Sequence, residues 1–164
     1  MRTTYPIKTL LDRVTAIFLR AGLNEVQAPA LARVIVAGER DACTSHGIYR
    51  IEGVLRTVKA GKVRADAVPQ LDPAGQGGII RVNAAGGFSS PAFELGLPQL
   101  VDRARELGLA ALVVNDCTHF SALWPEVEAI TDHGLAALVL GPSYASVAPS
   151  GGTRPLLGTN PLAF

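Results

Sequence analysis

Residues 41–50 read DACTSHGIYR and set a serine, an imidazole and a guanidinium close together as Ser45, His46 and Arg50. An imidazole, with an ordinary pKa of about 6.5, takes and gives protons near neutrality. A guanidinium offers a fork of donors to a carboxylate or phosphate. From Ile48 onward the apolar positions Ile51, Val54, Leu55 and Val58 recur at helical spacing, and Gly61 follows as a stop. This predicts a helix capped by Ser45, with His46 and Gly47 in its first turn and Arg50 one turn in. The first N–H groups and the helix dipole would then favour a small anion. The plainer alternative is a capping serine, a solvated histidine and an Arg50–Glu52 ion pair.

Two later stretches carry similar chemistry. Residues 116–123, DCTHFSAL, leave His119 and Phe120 between an apolar run and a helical segment, with Ser121 able to cap that segment. An imidazole, an aromatic ring and unpaired amides suit a phosphate, a nicotinamide ring or a substrate; a packed His–Phe pair beside a cap is the plain reading. Residues 148–164, APSGGTRPLLGTNPLAF, form a rigid, non-periodic loop that displays Thr159 and Asn160. Cys43 and Cys117 lie near His46 and His119 in sequence, but Cys-x-His is not a usual zinc-knuckle spacing, and no metal site is assigned.

These groups need a scaffold, and 164 residues suffice for one domain with a real core. Hydrophobic residues make up 48% and charged residues 18%, which excludes a disordered chain. Fifteen basic and fourteen acidic residues leave no field for nucleic acid. The first residues turn charged too early for a signal peptide and no run reaches membrane-spanning length, so a cytoplasmic location with reduced cysteines is the default.

Residues 7–21 read as a helix with Leu10, Leu11, Val14, Ile17 and Phe18 on one face. Asn24 and Gln27 resemble a capping box for a second helix carrying Leu31, Val34 and Ile35. The pair forms a hairpin that delivers the chain to Ser45. Residues 62–78 read as a surface loop, 79–82 as a strand, and Ser89 or Ser90 as the cap of a helix to about Leu107 that Pro98 should kink or break. The apolar runs 109–114 and 135–140 flank a helical segment. That order predicts a parallel crossover, hence an α/β class, with its site beyond the strand ends. Neither a Gly-x-Gly-x-x-Gly fingerprint nor a Walker lysine loop occurs.

Taken together, SHGIYR, HFSALWPEVE (residues 119–128) and GGTRPLLGTNP (residues 151–161) resemble, in order and spacing, the type 2 malate/L-lactate dehydrogenase-like family. The resemblance runs along the whole chain. It implies a non-Rossmann nucleotide-binding α/β fold, with N-terminal helices followed by a mixed sheet with crossover helices. Residues 1–61 would be the helical segment ending in the SHGxxR helix, and 62–164 the first part of a truncated α/β domain. In that family a later half supplies an acidic relay and most nucleotide contacts, so the 164-residue chain alone is expected to show little activity.

The likeness is strongest to the branch that reduces the cyclic imino acids Δ1-piperideine-2-carboxylate and Δ1-pyrroline-2-carboxylate to L-pipecolate and L-proline with NADPH, NADH being the alternative. Hydroxy-acid dehydrogenases of the family usually carry Asp before Ser-His-Gly and a His-Phe-Gly motif; here Thr44 and Ser121 stand at those places. The resemblance makes His46 the proton donor, Ser45 its relay, Arg50 and Thr159 the substrate contacts, and His119, Phe120, Ser121, Ala122 and Leu123 the cofactor segment. It also implies a homodimer acting on a small molecule, without nucleic acid or membrane. The competing readings are a 2-hydroxy-acid dehydrogenase of malate, lactate or ureidoglycolate type, and a non-catalytic carboxylate- or metal-binding fragment.

Overall fold

The structure, a computed structural model, describes residues 4–120 and 122–164. The chain divides into two compact units, Met1–Ala122 and Leu123–Phe164.

In the first unit, α1 (Ile7–Arg20) and α2 (Gln27–Arg40) form the expected hairpin. Their apolar faces meet around Val14, Phe18, Leu31 and Ile35, each at most 1% exposed, and Val54 and Phe88 complete this core. Asn24 accepts the Gln27 N–H at 2.9 Å, as a cap should. Gln27 does not return the bond. Its side chain lies in the core, donates to the carbonyls of Arg64 and Ala65 at 2.8 Å, and accepts the Phe88 N–H at 2.9 Å. A buried amide with both ends satisfied thus ties the hairpin to the loop before the sheet.

The sheet of this unit has the order β1 (Gln70–Asp72), β2 (Ile79–Asn83), β3 (Ala111–Asn115), with β1 antiparallel and β3 parallel to β2. The α/β class with a mixed sheet is as expected, but the crossover is not where the apolar runs put it. It is β2–α4–β3, with α4 spanning Ser89–Leu107. The run at 135–140 is extended only at β4 (Val139–Leu140), which pairs antiparallel with β5 (Leu162–Ala163). Its Leu138 and Leu140 are 58% and 66% exposed, so apolar content marked a strand without identifying its neighbour. Residues 70–72, read as loop, form an edge strand too short to show alternation.

Helix α4 does not break at Pro98 but runs through it. Pro98 and Glu94 both lie on the exposed face, so the Glu94 carbonyl that loses its partner is left to water. Gly108, at φ 81°, closes this helix in the left-handed conformation. In the second unit, α5 (Trp124–Thr131) precedes the β4–β5 pair, and residues 141–161 form a loop pinned by a Val147–Leu157 bridge. No helix among the described residues is long and apolar enough to cross a membrane.

Candidate active site

Helix α2 sets the position of the SHG stretch. A Cβ on Gly38 would stand 2.5 Å from the His46 carbonyl oxygen, and one on Gly47 would strike the Glu39 carboxylate. Two glycines therefore let the last turn of α2 press against the His46–Gly47 peptide. Ala42, at φ 57°, turns the chain between them in a conformation that L-residues avoid.

The expected serine cap is not formed. Residues 48–50 make a 3-10 turn, α3 (Ile51–Lys59) starts after it, and Arg50 stands at the junction. The Glu39 carboxylate reaches over from α2 and accepts the Ile48 N–H at 3.2 Å. A carboxylate of the chain itself already occupies the anion seat that the dipole argument reserved for a ligand. Ser45 is thereby released for other work, and its Oγ lies 3.0 Å from His46 Nδ1. Cys43 Sγ approaches the same nitrogen at 3.5 Å.

Arg50 is held on two sides. Its Nε donates to the Ser45 carbonyl at 2.7 Å, and its guanidinium carbon stands 5.8 Å from the centre of the Phe120 ring. The surface ion pair with Glu52 does not form, because Glu52 pairs with Arg56. Among the described residues no carboxylate pairs with Arg50. Its two terminal nitrogens are thus available to a carboxylate from outside. Burial, and then the Arg50 charge, push the His46 imidazole below its ordinary pKa.

The His119 turn is stitched to the β2–α4 turn by backbone bonds. Thr118 donates to Gly87, Ser89 donates to Thr118, and Phe88 and Thr118 form a parallel bridge. Ser89, expected as a helix cap, makes no capping bond and instead sets its Oγ 2.9 Å from His119 Nδ1. Ala122 and Leu123 are buried, at 4% and 7% exposed, and Ser121 lies outside the described residues. The structure thus brings Ser45, His46, Arg50 and Phe120 together, with His119 beside Phe120 in the chain.

Thr159 belongs to the second unit. There Ser143 Oγ lies 3.0 Å from Thr159 Oγ1 and accepts the Thr159 N–H at 2.8 Å. Among the described residues no group of three or more His, Cys, Asp or Glu could hold a metal ion.

The pattern of the malate/L-lactate dehydrogenase family matches residues 5–164. The chain belongs to this family. It is 69% identical over 162 residues to a Δ1-pyrroline-2-carboxylate reductase of Agrobacterium fabrum, covering 99% of this chain and 47% of that protein. It is 53% identical to a Δ1-pyrroline-2-carboxylate/Δ1-piperideine-2-carboxylate reductase of Pseudomonas aeruginosa, covering 96% and 48%. Among solved structures, a Δ1-piperideine-2-carboxylate reductase of Pseudomonas syringae superposes with a TM-score of 0.92 at 38% identity, over 98% of this chain and 48% of that one. A malate dehydrogenase of Entamoeba histolytica, at 23% identity and a TM-score of 0.86, shares the fold. The chain spans about half the length of the curated relatives it matches.

Several residues that shape this candidate site in the malate/L-lactate dehydrogenase family member were not apparent in the sequence. Glu39 and Gly38 precede the motif on another helix, and only the folded approach of α2 reveals them. Gly53, whose added Cβ would lie 2.7 Å from Phe120 Cζ, sat unremarked inside a helical pattern. A glycine inside a helix costs stability and calls for a packing reason, so it was the one available signal. Ser143, the partner of Thr159, carried none.

Proposed function

We propose that this chain is the substrate-recognising, proton-handling part of an NAD(P)H-dependent reductase that converts Δ1-pyrroline-2-carboxylate or Δ1-piperideine-2-carboxylate to L-proline or L-pipecolate. The observation that carries the reading is Arg50. It is fixed through Nε and its ring contact, has no acidic partner among the described residues, and stands beside an imidazole oriented by Ser45. Such a pair suits a small acid whose reaction needs one proton.

In this reading the Arg50 terminal nitrogens grip the 2-carboxylate; the substrate role of Thr159 rests on the family resemblance alone. His46, with Nδ1 engaged by Ser45, presents Nε2 as the proton-delivering atom toward the ring nitrogen. A reduced nicotinamide, when bound, would supply the hydride for the adjacent carbon, matching the proton that His46 places on nitrogen. Residues 119–123 would hold that group, and their donor set fits it: an imidazole braced by Ser89, a half-buried aromatic ring, and the buried Ala122 and Leu123. NADPH in preference to NADH, a homodimer and a cytoplasmic setting belong to the same proposal, as does a helical segment 1–61 leading into an α/β part 62–164. Free Cys43 and Cys117 agree with a reducing compartment.

The 2-hydroxy-acid alternative is not favoured. The relatives at 69% and 53% identity are named as reductases of cyclic imino acids, whereas the malate dehydrogenase at 23% supports the fold alone. Loss of NADPH absorbance, followed with the full-length gene product, tests the choice directly. Cyclic imino acids should be turned over in preference to pyruvate and oxaloacetate by roughly two orders of magnitude or more, because a site matched to the wrong polar group leaves buried donors unpaired. Faster reduction of the 2-oxo acids would reverse the assignment.

A further inference from the structure

The Arg50 grip depends on a neighbour that its own motif does not contain. Phe120 packs against the core of the first unit, with Cζ aimed at the backbone of α3 at Gly53 and its face toward the Arg50 guanidinium. A methyl group at position 53 would meet Cζ at 2.7 Å, well inside ordinary contact distance. The ring therefore lies in a notch that exists only because residue 53 has no side chain. Arg50 and Gly53 stand at the start of α3, so one helix supplies both the notch and the cation.

We infer that Gly53 and Phe120 form a positioning unit for substrate recognition: the notch seats the ring, and the ring together with the Ser45 carbonyl fixes the plane of the Arg50 fork. This gives Phe120 a second role beside its place in the cofactor segment, and it rests on the proposed reading of Arg50 as the carboxylate grip. A guanidinium restrained through Nε and one face loses little freedom when its terminal nitrogens take up a carboxylate. Without the ring the fork can turn away, and carboxylate binding weakens in ground state and transition state alike. The arrangement also explains why phenylalanine suits position 120 better than tyrosine, since a hydroxyl on Cζ would run into the helix backbone.

Gly53→Ala and Phe120→Leu, made in the full-length gene product, test the unit. Alanine favours the helix, so Gly53→Ala should keep its fold, and a thermal melt checks this. Both variants should raise the Michaelis constant for the imino acid about tenfold, the worth of roughly one well-aimed hydrogen bond, and weaken binding of the product L-proline by a similar factor in calorimetric titration. In Gly53→Ala the turnover number and the NADPH affinity from fluorescence titration should change less than about threefold, the pattern expected when only uniform substrate binding is lost. An unchanged Michaelis constant and L-proline affinity in Gly53→Ala would overturn the inference. So would a fall in NADPH affinity matching the rise in Michaelis constant, which would leave Phe120 a cofactor contact alone. If the wild type reduces no cyclic imino acid, the functional reading fails first, and that outcome is visible before any variant is made.

Discussion

His46→Ala is expected to lower the turnover of cyclic imino acids by about two to four orders of magnitude, with NADPH affinity unchanged. The bond from Arg50 to the Ser45 carbonyl and its contact with the Phe120 ring do not use the His46 side chain, so the Michaelis constant should move far less than the turnover number. The pH dependence of the wild type gives a second view of the same residue. Burial and the Arg50 charge hold the imidazole below its ordinary value. A proton donor must be charged, so kcat/KM for reduction should be full below that lowered pKa and fall as pH rises through it. In the complex the substrate carboxylate offsets the Arg50 charge, which removes one of the two causes of the depression. The falling limb of kcat should therefore lie at higher pH than the falling limb of kcat/KM. Limbs that coincide, or a large Michaelis effect in His46→Ala with turnover preserved, would argue against His46 as the donor.

The second large effect lies in α5. Glu126 is 6% exposed, its Oε2 finds no hydrogen-bond partner among the described residues, and burial raises its pKa to about 7 against a reference of 4.5. Between those values the native chain holds a proton that the unfolded chain has released. Stability from this group is thus fully present below about pH 4.5 and is lost as pH rises through 7, a total of roughly 3 kcal/mol. Glu126→Gln removes the titrating proton while keeping the shape. Urea unfolding at pH 5 and pH 8 should show the wild type losing about 2–3 kcal/mol more than the variant over that interval. Parallel pH dependence in the two proteins would mean that the carboxyl is already compensated. A buried carboxyl with one oxygen left without a hydrogen bond is costly to the fold, so its presence near the start of α5 calls for a reason other than stability.

Much of this was legible beforehand wherever the signal was local. The α1–α2 hairpin follows from apolar spacing and the Asn24 cap, and the motif residues Ser45, His46 and Arg50 do assemble. What stayed hidden was non-local. Glu39 fills the start of the SHG turn from another helix, and Gln27 turns inward to three backbone partners when a capping box would have turned it outward. Periodicity said that 135–140 was apolar and extended, yet nothing in that run distinguishes a parallel partner from the antiparallel β5 it meets. Pro98 failed to break its helix because the break rule depends on which face the proline occupies, a fact that only packing supplies.

A crystal structure of the full-length gene product with L-proline bound would test most directly whether one small acid engages both charged groups of the SHG turn. The account predicts the carboxylate on the terminal nitrogens of Arg50, within hydrogen-bond reach, and the ring nitrogen facing the His46 imidazole. A carboxylate held by other residues, with the ring nitrogen turned away from His46, would contradict it.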